Sequence, residues 1–295
     1  MKHFLLSLFI LLSALFSVGQ SGPEQKRLSI NGTERSYLVR KPVAFTAGKR
    51  YPLVLTLHGG GGSAQQFDNS YGFNQAAAEA GFLVACADGV PGEGRLAVRT
   101  WNAGGCCAGA MEKNVDDVAF LSALIDSMVK NFSADPGNVF VTGMSNGAMM
   151  SYRLAADLPG KISAIAPVAG SMYYNEAKDP GNSVPVLHFH SELDTRVPYK
   201  GGTGIGKNWF PPVEDGLKRW AGWNEATQSN VETGKNYTCT TWTDAKGKTM
   251  VQLYLTKDGG HSWPGAKKTR ILGDASSMSL NANELIIAFF RSNLK

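Results

Sequence analysis

Five stretches of the chain are apolar at nearly every position rather than at every second one: "YPLVLTL" from Tyr51, "FLVACA" from Phe82, "VFVTG" from Val139, "ISAIAPVAG" from Ile162 and "VPVLHFH" from Val184. A strand that is apolar on both faces belongs to a parallel sheet covered on both sides. Between these runs the period lengthens. From Asn114 to Phe132 the apolar residues Val115, Val118, Leu121, Ile125 and Met128 recur at helical spacing. Ala148 to Ala156, Val213 to Trp223 and "LNANELIIAFFRSN" near the end also read as helices, and "SAQQFDNSYGFNQAAAEAG" reads as a loop and helix ending at Gly81. Near the start, "RLSINGTERSYLVRKP" gives two alternating stretches around Asn31-Gly32, a strong hairpin signal. Alternating strands and helices predict an α/β protein with a mostly parallel central sheet and helices on both faces. In such sheets the working residues sit at the carboxyl ends of the strands.

The first residues do not fit this scheme. One lysine precedes an apolar run from Phe4 to Val18, and Ser17-Val18-Gly19 supplies small residues before Gln20. That predicts a cleaved signal peptide over 1–19, because the run is short of the ~20 apolar residues that a membrane span needs. No cysteine follows the run, so a lipid anchor is not expected. The rest, 20–295, shows no repeat, linker or charge block and reads as a single catalytic domain. Its 43% hydrophobic and 18% charged residues are ordinary for a globular chain. A net charge of +5 is mild, with Lys267-Lys268-Arg270 as the tight cluster, so a nucleic-acid partner is not expected. Four cysteines, Cys86, Cys106, Cys107 and Cys239, allow three full pairings. Cys86 lies in a strand and reads as a buried thiol, and none of the spacings is that of a zinc site.

Residues 143–147 read Gly-Met-Ser-Asn-Gly. In a chain this rich in glycine and serine, about 0.3 such matches arise by chance, so context decides. A strand before the motif and a helix after it are what a nucleophile elbow requires, with Ser145 as nucleophile on an α/β-hydrolase fold. A plain strand–helix turn with a capping serine is the alternative. The hydroxyl needs a base, and the base an orienting carboxylate, in the chain order Ser, Asp or Glu, His. Of five histidines, His261 in "GGHSWPG" is the one in a late glycine-rich loop. The carboxylate is expected after "VPVLHFH"; Asp194 is favoured, with Glu192 the competitor nearer the strand. Oxyanion donors are expected at the amides of Asn146 and Gly60, with Gly61 second to Gly60. No Gly-Lys-Ser/Thr follows the glycine loop, which argues against phosphate binding. His188 and His190 share a strand face and are expected to pack and hydrogen-bond rather than to bind metal. Trp220 and Trp223 read as core residues. Trp101 and Trp263 are candidate substrate-binding rings.

Taken together, "LHGGGGSAQQF", "TWNAGGCCAGA", "VDDVAFLSALI", "VFVTGMSNGAMM", "APVAG", "VPVLHFHSELD", "VPYKGG" and "GGHSWPG" resemble the secreted polyhydroxybutyrate-depolymerase-like and feruloyl or acetylxylan esterases, α/β-hydrolases related to carbohydrate esterase family 1. The resemblance implies Ser145, Asp194 and His261 as the triad, Gly60 and Asn146 as oxyanion donors, and no cofactor. It departs from the family at His190-Ser191-Glu192, where His-Gly-Thr is usual. It departs again at Asn224-Glu225-Ala226, where Asn-Gly-Cys is usual, and this leaves Cys239 without its family partner. Cys106 and Cys107 are retained, joined to each other or elsewhere. The implied function is a secreted serine esterase, extracellular or periplasmic, acting on feruloyl or acetyl esters of plant polysaccharide. Hydroxyalkanoate polyesters or oligomers come second, a serine peptidase of the same fold third, and a carbohydrate-binding module is the non-enzymatic alternative.

Overall fold

The computed structural model describes residues 22–93, 97–172, 179, 181, 183–267 and 273–295. The expected signal peptide at 1–19, and Lys268 and Arg270 of the basic cluster, lie outside the described residues.

The apolar runs form the middle of a ten-stranded sheet. In chain order its strands are β1 (Glu24–Ile30), β2 (Thr33–Arg40), β3 (Tyr51–Leu57), β4 (Leu83–Ala87), β5 (Ala134–Met144), β6 (Ala164–Val168), β7 (Val186–Ser191), β8 (Gln228–Gly234), β9 (Tyr237–Thr243) and β10 (Thr249–Thr256). Across the sheet the order is β1-β2-β4-β3-β5-β6-β7-β10-β9-β8. The six central strands, β4 to β10, are mutually parallel. An antiparallel hairpin extends the sheet at each edge. The first hairpin turns at Asn31 and Gly32, both with positive φ, as the sequence pattern predicts.

The α-helices among the described residues are α1 (Ala64–Tyr71), α2 (Phe73–Glu79), α3 (Ala108–Glu112), α4 (Asp117–Asn131), α5 (Asn146–Asp157), α6 (Val213–Trp223) and α7 (Ala282–Ser292). The two-residue period of β3 divides the core. Leu53, Leu55 and Leu57 face one side with Phe120, Leu121 and Leu124 of α4, Met149 of α5 and Trp220 of α6. Val54 faces the other side, with Phe67 of α1, Phe73 of α2 and Phe290 of α7. Each such fully buried aliphatic or aromatic side chain contributes about 1.5–3 kcal/mol, so both helical layers are held by the same central strands. Trp220 is fully buried and Trp223 packs partly buried against the same core, as expected.

Two stretches differ from the sequence reading. Gly72, with φ of 66°, caps one helix and opens the next, so 63–81 holds α1 and α2 rather than one helix. Residues 228–256, for which the apolar pattern predicts no element, form three strands. β8 is exposed along almost its whole length, and β9 carries threonines where a core strand would carry valine or isoleucine. An apolar-run criterion passes over strands of this kind.

Candidate active site

Ser145 stands between β5 and α5 with φ of 57° and ψ of −118°. A non-glycine residue holds such a conformation only when its surroundings impose it, at a cost on the order of 1–3 kcal/mol. The two flanking glycines explain how. A Cβ on Gly147 would run into the carbonyl oxygens of Leu57 and His58, and a Cβ on Gly143 would meet the backbone of Gly147. Strand, turn and helix therefore touch where any side chain would separate them. The Ser145 amide donates to Val168 O (2.8 Å), pinning the turn to β6. Its hydroxyl caps no amide of α5, which removes the capping-serine alternative. Instead Ser145 lines a cavity of about 340 Å³ at the carboxyl end of the parallel strands.

His261 lines the same cavity. It follows β10, and Asp194 follows β7. These strands are neighbours whose register pairs Ser191 with Thr256, so both loops leave the sheet at one level. His261 Nδ1 lies 2.7 Å from Asp194 Oδ2. Since a carboxylate accepts, Nδ1 donates this bond, and the tautomer it selects for a neutral ring has its lone pair on Nε2. The other oxygen, Asp194 Oδ1, accepts from the amides of Arg196 (2.9 Å) and Val197 (2.8 Å). Burial pushes this carboxyl upward, but the His261 bond and the neighbouring imidazoles outweigh it and hold Asp194 below the usual carboxylate range. Glu192, by contrast, is exposed. Asp274, which sequence reasoning passes over, accepts from the His261 amide at 2.8 Å and steadies that loop.

Gly60 also lines the cavity, next to Ser145 and Asn146. Gly61, the second choice as donor, gives its amide to Arg99 O (2.8 Å), while Gly62 bonds back to Gly59 (2.9 Å). Asn146 opens α5, where first-turn amides have no intrahelical acceptor and the helix dipole favours negative charge. Its side chain does separate work: Oδ1 accepts from the Trp101 amide (2.7 Å), and Nδ2 donates to Trp101 O (3.0 Å).

That bracing corrects the expectation for Trp101. The ring is wholly buried and lies outside the cavity lining, because its indole N–H donates to the His58 carbonyl (2.9 Å) and Arg35 stands 5.8 Å from the ring centroid. His58 completes the brace: Nδ1 donates to Gly59 O (2.8 Å) and Nε2 accepts from the Gly89 amide (2.9 Å). Burial lowers its pKa to about 4, so the ring is neutral. Trp101 thus ties the glycine loop to the serine turn. Trp263 does line the cavity, although its ring is 1% exposed, stacked at 5.0 Å on Tyr71 and bonded to Asn283 (2.8 Å).

Further wall residues that the sequence did not mark include Tyr71, Gln66, Arg196 and Asn208. Cys107 also lines the cavity and is disulfide-bonded to Cys106. Cys86 and Cys239 are buried thiols, and burial pushes Cys86 up to about 12. His188 and His190 are buried and hydrogen-bonded to one another (3.1 Å). Among the described residues no cluster of His, Cys, Asp and Glu could hold a metal ion, and no helix is long and apolar enough to cross a membrane.

Residues 35–197 match the family model described as Esterase PHB depolymerase. A feruloyl esterase B of Piromyces equi is 30% identical over 240 residues, which cover 77% of this chain and 42% of that protein. The chain therefore spans less than half the length of that relative. An acetylxylan esterase of Coprinopsis cinerea is 28% identical over 257 residues, covering 79% of this chain and 67% of that one. Among solved structures, an acetyl xylan esterase from Aspergillus awamori superposes with a TM-score of 0.62 at 15% identity, over 91% of this chain and 99% of that one, a likeness of fold.

Proposed function

The chain belongs to the Esterase PHB depolymerase family, and on that premise we propose that it is a secreted serine carboxylic-ester hydrolase working through an acyl-enzyme. The observation that carries this reading is His261, bonded to the buried Asp194 at 2.7 Å and lining one cavity with a serine held on a strained elbow. Ser145 Oγ attacks the ester carbonyl carbon while His261 Nε2 takes its proton, and Asp194 stabilises the imidazolium that results. The amides of Gly60 and Asn146 receive the oxyanion. The alcohol leaves with the proton from His261. Water, deprotonated by the same nitrogen, then attacks the acyl carbon and frees the acid and Ser145. None of these steps calls for a cofactor.

The substrates proposed are feruloyl or acetyl groups on plant polysaccharide, the ester classes in the names of the two relatives. A cavity of about 340 Å³ falls in the range that encloses a small organic ligand, so an aromatic acyl group has room. Short hydroxyalkanoate oligomers are the second class, favoured by the family's own description. Export with cleavage before Gln20 is part of the proposal.

Purified enzyme should be assayed on methyl ferulate, acetylated xylan and hydroxybutyrate oligomers, alongside peptide amides. Turnover of one or more esters, abolished in Ser145→Ala, is the expected result. Ester hydrolysis that survives Ser145→Ala, or a clear preference for amides, would sink the reading.

A further inference from the structure

Behind the Asp194–His261 pair runs a row of buried polar side chains that ester hydrolysis, as described above, does not use. Tyr152 on α5 and His188 and His190 on β7 are each at most 2% exposed. Tyr152 Oη lies 2.8 Å from His188 Nδ1. His188 Nε2 lies 3.1 Å from His190 Nδ1. His190 Nε2 lies 2.8 Å from Val197 O and 3.5 Å from Asp194 Oδ2.

The direction of every hydrogen bond in this row follows from its last member. The Val197 carbonyl only accepts, so His190 Nε2 carries a hydrogen. Burial lowers the pKa of both imidazoles, leaving each ring neutral with a single N–H. His190 Nδ1 is then an acceptor, His188 Nε2 must donate to it, and His188 Nδ1 must accept from the Tyr152 hydroxyl. Burial also raises the Tyr152 pKa well above its ordinary value, so the hydroxyl keeps its proton. The Val197 acceptor at one end and the Tyr152 donor at the other thus require the same two tautomers.

The remaining groups around this corner come from several elements. Asp194 receives His261 from the loop after β10 and two amides from its own loop. The ring of Tyr199 stands 5.9 Å from that of His190, with its hydroxyl on Glu214 of α6, and Glu192 lies towards the surface. Among these side chains His261 and His190 are the two that approach Asp194 Oδ2.

We propose that Tyr152, His188 and His190 are positioning residues for the reaction: the row forces His190 to present an N–H, never a lone pair, to the corner formed by Val197 O and Asp194 Oδ2, and so keeps that carboxylate aimed at His261. This rests on Asp194 and His261 being the acid–base pair proposed above. Remove the Tyr152 hydroxyl and His188 is free to reverse. The row is then held from the Val197 end alone, and the arrangement that turns a His190 lone pair on two oxygen acceptors becomes more populated.

The test uses Tyr152→Phe, which keeps the ring packed on Trp220 (5.5 Å between centroids), together with His190→Leu and His190→Gln. With one N–H fewer near Oδ2, charge concentrates on the bond to His261. Tyr152→Phe and His190→Leu should therefore lower kcat about 10-fold, as small misalignments of reacting groups do, with KM little changed. The acid limb of the kcat/KM profile should move to higher pH, and His190→Gln, whose amide can still donate to Val197 O, should recover much of the loss. The downfield NMR resonance of the His261 Nδ1 proton supplies a readout that needs no turnover. It should be present in wild type and in Ser145→Ala, and displaced in Tyr152→Phe. Folded variants with wild-type kcat, acid limb and resonance position would overturn the proposal. A wild type without esterase activity would overturn the reaction instead, leaving the NMR comparison to judge the row.

Discussion

Asp194 and Glu192 stand two residues apart in one loop, and of the two it is Asp194 that is bonded to His261. Asp194 is 4% exposed and has both oxygens engaged by donors, whereas Glu192 is open to solvent. Asp194→Asn should cut kcat by about 10⁴-fold, the loss seen when a triad histidine is left in the wrong tautomer, while Glu192→Gln should change it less than about 2-fold, as for an exposed side chain away from the chemistry. Steady-state kinetics on one ester, with circular dichroism to show both variants folded, checks this. The sequence pointed to Asp194, Ser145 and His261, the residues of the proposed triad, because the pentapeptide marked one and chain order constrained the other two. Trp101 was misread for a physical reason. What decides between pocket wall and brace is where its N–H finds an acceptor, and the His58 carbonyl lies 43 residues away along the chain. Which cysteines pair was equally invisible, since composition alone does not choose among three maps.

At the scale of elements, the elbow is held by backbone contact rather than by side chains. Gly147→Ala would force α5 away from the end of β3, because the new methyl would overlap the carbonyl oxygens of Leu57 and His58. Overpacking of this kind costs about 1–3 kcal/mol, which lowers Tm by several degrees, at about 2–4 °C per kcal/mol in a chain of this size. It would also displace the Asn146 amide, the proposed oxyanion donor, so kcat should fall more steeply than stability; a thermal melt and an esterase assay on one preparation separate the two effects. The five apolar runs all proved to be strands of the sheet, because strands buried on both faces advertise themselves. β8 to β10 did not, although β10 is one of the six parallel strands. Its alternation of Val251, Leu253 and Leu255 with Gln252 and Tyr254 is that of a half-buried strand, and it becomes central only by pairing with β7. Pairing partners are a property of the fold, and a local pattern does not carry them.

Across the whole molecule, the buried imidazoles make stability depend on pH. Burial lowers the folded pKa of His58 from 6.5 to about 4, and lowers those of His188 and His190 as well. Below pH 6.5 the unfolded chain takes up protons that the folded chain refuses, so stability falls as pH drops towards 4. His58 alone accounts for about 3 kcal/mol across that window. Asp194 adds to the loss at lower pH: its folded pKa is depressed, so its contribution is present above the ordinary carboxylate range and disappears as the group protonates. Urea unfolding at pH 7.0, 5.5 and 4.0 should give steadily lower midpoints, and a flat series would contradict the neutral assignment of these rings.

The pairing of β7 with β10 also bears on time. The loops carrying Asp194 and His261 meet only when β10 docks beside β7, with α6, β8 and β9 lying between them in sequence. Closing so long a span is slowed by an entropic cost that precedes any contact that repays it. A chain in which this pairing has not formed can hold helices and strands and still lack the His261–Asp194 bond. Recovery of the proposed activity on refolding would therefore report on that one long-range pairing.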